Sequence, residues 1–131
     1  MARIDWMLLC ETAFLDRQDR VSLIGVATDF PVPSLPLVIK QMMMVARLVD
    51  ARPGDEMRVG VAIGTPGGQW TQPRDDGFEV EQTGDYLLIT LRDVPLLEAG
   101  LYQFALALGQ QEVVTEIPVT LPAAPLQLGV H

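Results

Sequence analysis

Hydrophobic residues recur at every second position along most of this chain, and that spacing limits its possible folds more than any other feature. In Gly100 to Leu108, Tyr102, Phe104, Leu106 and Leu108 fall on one side, and Leu101, Gln103, Ala105 and Ala107 on the other. Met57, Val59, Val61 and Ile63 alternate with Arg58, Gly60 and Ala62. Leu87, Ile89 and Leu91 share a face, as do Val113, Thr115, Ile117 and Val119. Successive side chains of a strand point to opposite faces, so a sheet with one buried face produces this pattern. The chain is expected to be all-β, an antiparallel sandwich of seven to nine strands. Its core should draw on Leu23, Val45, Val59, Val61, Ile89, Leu91, Tyr102, Phe104, Leu106, Val113 and Ile117.

Turn chemistry punctuates these runs, as a sandwich requires. Asp16-Arg17-Gln18-Asp19-Arg20 separates Ile4–Leu15 from Val21–Thr28, and Arg52-Pro53-Gly54-Asp55 precedes the Glu56–Gly64 run. Thr65-Pro66-Gly67-Gly68, Thr83-Gly84-Asp85 and Gly109-Gln110-Gln111 supply three more breaks, the last linking two long strands as a hairpin. Phe30-Pro31-Val32-Pro33-Ser34-Leu35-Pro36 is different. Proline cannot donate to a ladder, so this stretch reads as an extended crossover between sheets. Pro33-Ser34-Leu35-Pro36 also has the PxxP form of polyproline-II ligands, but the nearest basic anchor is Lys40. Residues 6–15 fit both periods. Trp6, Leu9, Cys10, Ala13 and Phe14 would line a helix, whereas Ile4, Trp6, Leu8, Cys10, Thr12 and Phe14 would line a strand. The strand is favoured because Asp16 to Arg20 then closes a hairpin with Val21 to Thr28.

The 131 residues suit one domain, residues 1–131, and 49% of them are hydrophobic, which supports one packed core rather than a disordered chain. No apolar run reaches the ~18 residues of a spanning helix; Leu35 to Val45 is interrupted by Pro36, Lys40 and Gln41. Asp5 and Glu11 bracket an apolar stretch too short for a secretory signal. Cys10 is the only cysteine, so no internal disulfide can form. Both features point to the cytoplasm.

The formal net charge is −8 and uneven, with five Lys and Arg against six Asp and Glu in residues 1–50, and four against eleven thereafter. Phosphate contacts dominate nucleic-acid affinity, so an acidic chain without a basic run is a poor nucleic-acid binder, and anionic membranes are disfavoured likewise.

The residues for catalysis are sparse. His131 is the only histidine and the last residue, which leaves a Ser-His-Asp or Cys-His arrangement without a well-placed base. One Cys and one His cannot supply a zinc site. Cys10 sits among Trp6, Leu8 and Leu9 and reads as a small buried hydrophobe rather than a redox thiol. Asp75, Asp76, Glu79 and Glu81, with Asp85 beyond, form the one acidic cluster. It could offer oxygens to calcium or a carboxylate pair to a small ligand or sugar, but it lacks EF-hand spacing. Read as structure, Glu79 and Glu81 belong to a solvated edge strand that resists unwanted pairing. Gly64 to Gly68 is a turn, not a phosphate loop, because no Lys-Ser/Thr follows. Trp70 beside it either folds over the sandwich end or lies exposed as a contact. Met42, Met43 and Met44 read as core filling, or as an adaptable contact surface if one face of their strand is uncovered.

Two resemblances follow from particular residues. Glu98-Ala99-Gly100-Leu101-Tyr102 resembles the tyrosine corner of immunoglobulin-like sandwiches, with Phe104 where antibody domains place their second cysteine. The resemblance implies that the Tyr102 hydroxyl ties back to the main chain before Gly100. The partner cysteine is absent and Ile39–Asp50 carries no tryptophan, so the architecture is implied without antibody-domain identity. Leu8-Leu9-Cys10-Glu11 followed by Val21-Ser22-Leu23-Ile24-Gly25-Val26 and a proline-bearing crossover resembles a family of small uncharacterised bacterial proteins, which implies a bacterial, cytoplasmic β-sandwich and brings no activity. No catalytic, cofactor-binding or metal-binding residues are assigned. The expectation is a non-catalytic binding or assembly module, acting on a protein partner or a second copy through a sheet edge or the Met42, Met43, Met44 strand. A carboxylate-based site and a calcium-stabilised module are the alternatives.

Overall fold

A computed structural model describes residues 2–18, 20–52, 58–72 and 77–122. Ten strands follow one another: β1 (Arg3–Leu15), β2 (Val21–Ala27), β3 (Phe30–Pro31), β4 (Leu37–Val49), β5 (Val59–Gly64), β6 (Trp70–Thr71), β7 (Phe78–Thr83), β8 (Tyr86–Leu96), β9 (Gly100–Leu108) and β10 (Gln111–Thr120). β3 and β6 have two residues each, and the other eight are the longer strands that alternation anticipates. Residues 6–15 are strand throughout.

The strands form two five-stranded sheets, in the orders β2-β1-β4-β8-β7 and β3-β10-β9-β5-β6. All neighbours are antiparallel except β3 and β10, which run parallel at Phe30–Val119 and Pro31–Thr120. The run β1-β4-β8-β7 reproduces the A-B-E-D sheet of an immunoglobulin fold, and β10-β9-β5 its G-F-C sheet, with β6 in the C′ position. The proline-rich crossover leaves the first sheet after β2, touches the second as β3, and returns as β4. Its Leu35–Pro36 peptide bond is cis.

The main core lies between the sheets. Leu9, Met44, Ile89, Leu91 and Leu96 meet Tyr102, Phe104, Leu106 and Ile117 there, all nearly inaccessible to solvent. At roughly 25 cal/mol per Å² of apolar surface, each such side chain contributes on the order of 2 kcal/mol. Phe30, carried across by the crossover, sets its ring edge-on to Phe104 with centroids 6.4 Å apart. Of the expected core residues, Leu23, Val59 and Val113 are only partly buried, because they sit on outer strands or near strand ends.

The first sheet also buries part of its outward face. Cys10, Ala13, Met43, Val45 and Leu88 form a second cluster, flanked by Trp6, Leu8, Val21, Leu23 and Tyr86. Registers align Leu8, Val45 and Leu88 in one row and Trp6, Arg47 and Tyr86 in the next. The Trp6 and Tyr86 rings lie 6.1 Å apart, tilted over this face. Met42, Met43 and Met44 are therefore buried on both sides of a strand flanked by β1 and β8. Of the two readings of these methionines, core filling holds: both faces of the strand are covered by the chain itself at Met42, Met43 and Met44.

Candidate functional site

The immunoglobulin sheet has no counterpart for β2. This strand continues the first sheet beyond β1, pairing with it from Leu9–Ala27 to Leu15–Val21. The hairpin turn is set by Asp16. One carboxylate oxygen accepts the main-chain N–H of Gln18 at 2.8 Å and of Arg20 at 3.0 Å, and the other meets Arg20 Nε at 3.0 Å. These contacts, the Arg20 main-chain N–H foremost, hold the Asp16 carboxyl below its ordinary pKa. Asp16 N–H closes the turn on the Arg20 carbonyl at 2.8 Å.

Two devices seat the hairpin. Where β1 separates from β4 past Cys10 and Met43, the Ala13 N–H donates to Met43 Sδ at 3.1 Å. Gly25 adopts φ 69°, and the Glu11 side chain lies where its Cβ would be, 2.7 Å away. Only glycine takes that backbone with so close a neighbour.

The opposed pairs Thr12–Ile24 and Phe14–Ser22 put these four residues on one face of the hairpin, and Ala13–Leu23 on the other. Ala13 and Leu23 join the outward cluster of the first sheet. Phe14 and Ile24 do not, and they are 45% and 49% exposed; Val26, beyond Gly25, is 51% exposed. Leu15 at the hairpin end is exposed as well. No residue from Val21 to Ala27 is charged. An apolar strand of seven residues with an unpaired edge is what natural sheets normally avoid.

The other three edges are blunted. β7 carries Glu79 and Glu81, both exposed, and Glu79 pairs with Arg92 of β8 at 2.9 Å. This ion pair lowers the Glu79 pKa and raises that of Arg92. β3 and β6 are too short to template a strand, and β3 ends in proline. The acidic stretch thus divides: Glu79 and Glu81 lie on the solvated edge, and Asp75 and Asp76 lie outside the described residues. His131 and Met57 also lie outside them. Among the described residues, no three His, Cys, Asp or Glu side chains are grouped as metal ligands, and no polar or charged residue is buried. No helix among them is long and apolar enough to cross a membrane. Cys10 is buried, and burial raises its thiol pKa.

Trp70 folds over the end of the sandwich and is also half exposed. Its indole covers Gly64, where an added Cβ would sit 3.1 Å from the ring, while about half the residue faces solvent at 49% exposure. The turn before it is closed by Thr65 N–H on the Gln69 carbonyl and Gly68 N–H on the Thr65 carbonyl.

The tyrosine corner stands as its spacing implies. Tyr102, at the start of β9, donates its hydroxyl to the Glu98 carbonyl at 2.9 Å and accepts the Glu98 N–H at 3.4 Å. Gly100 between them has φ 133°, and a Cβ there would fall 2.8 Å from Pro66.

The exposure of Phe14 and Ile24 on one face of the hairpin, and of Val26 on the other, was not singled out by alternation. Among solved structures, the chain is similar to the M1 domain from titin at 11% identity and a TM-score of 0.34, over 64% of this chain and 80% of that one. No curated protein matches the chain. A family model covers residues 5–121, from within β1 to just past β10, and the chain belongs to that family, a family of unknown function, DUF6941.

Proposed function

We propose that this protein is a non-catalytic binding module that works by protein–protein contact through the β1–β2 hairpin. One observation carries the reading: β2 is added outside the A-B-E-D frame and keeps Ile24 and Val26 half exposed. No residue of β2 is fully buried, and only Val21, Leu23 and Ala27 of it pack against the core clusters. Exposed apolar strands are an aggregation hazard, so one retained at a sheet edge calls for a partner. β-Strand and hairpin surfaces are common docking elements for proteins. The unpaired, buried Cys10 suits a reducing compartment and supports a cytoplasmic placement.

Photo-crosslinking in the host tests this. A photoreactive residue at position 24 should yield an adduct with a protein, and the same residue at Gln110, in the β9–β10 turn, should not. Absence of any protein adduct at position 24 overturns the reading.

A further inference from the structure

We draw no further inference here: the strongest candidate, the outer face of the second sheet where Ala62, Ala105 and Val114 stand in one row beside the half-exposed Trp70, is an apolar surface patch, and nothing in the structure shows what covers it.

Discussion

The side-chain amide of Gln111 closes a ring of two hydrogen bonds with the main chain of Ile4, 107 residues away in sequence. Oε1 accepts the Ile4 N–H at 2.6 Å, and Nε2 donates to the Ile4 carbonyl at 3.0 Å. β2 flanks β1 only from Leu9 onward, so the first half of β1 has an open side. Gln111, the first residue of β10, supplies a peptide-like group there and ties one sheet to the other. The Thr115 hydroxyl adds a contact to Met7 Sδ at 3.5 Å along the same seam.

Gln111→Ala removes both bonds at once. Each is worth on the order of 1 kcal/mol net, so the variant should lose about 2 kcal/mol of unfolding free energy in urea titration. Gln111→Glu keeps the acceptor for the Ile4 N–H but sets a second oxygen against the Ile4 carbonyl, and should also be destabilised. An alanine variant as stable as the parent would mean that water satisfies Ile4 equally well.

Tyr102→Phe deletes a single hydroxyl from a buried side chain. The Glu98 carbonyl loses its donor while the ring keeps its packing against the core. A cost of about 1 kcal/mol is expected. The slope of the denaturation curve should stay constant, since the change alters stability and not the surface exposed on unfolding.

How much of this was readable depends on the range of the interaction. Alternation located the β5, β8, β9 and β10 faces because a strand's pleat is a local property. The corner was readable because Glu98, Gly100 and Tyr102 are within four residues and one of them needs a positive φ. The buried state of Met42 to Met44 followed only in part. Alternation says which residues share a face, not whether a second face is covered, and here Trp6, Tyr86 and the hairpin cover it. Val21 to Ala27 reads like a core strand for the same reason: its composition does not say which side lacks a neighbour. The Ile4–Gln111 clasp joins the two ends of the domain through a polar side chain, and no periodicity marks it.

Cys10 should behave as a core residue under chemical labelling. It is 1% exposed, and desolvation raises its thiol pKa, so both access and thiolate fraction are reduced. At about pH 8, where an ordinary thiol near 8.5 is partly ionised, the folded protein should alkylate far more slowly than the urea-unfolded chain. Equal rates in the two states would place the thiol at the surface. Cys10→Ser should cost about 1–3 kcal/mol by burying a hydroxyl with no partner, and Cys10→Ala less.

The Asp16 turn predicts a pH dependence whose sign can be worked out. The folded-state carboxyl titrates below its unfolded value because the N–H groups of Arg20 and Gln18 and the Arg20 guanidinium favour the charged form. A group with a lowered folded pKa binds fewer protons when folded, so its contribution is complete above the unfolded value of about 3.9 and fades as pH falls through the folded one. Asn at this position cannot titrate. The stability gap between the parent and Asp16→Asn should therefore be constant from neutral pH down to about 5 and narrow steadily toward pH 2. Urea titrations of both proteins across that range measure it, and the other carboxylates cancel in the difference. A gap that does not narrow would show that the turn gains from hydrogen-bond geometry alone and not from the charge on Asp16.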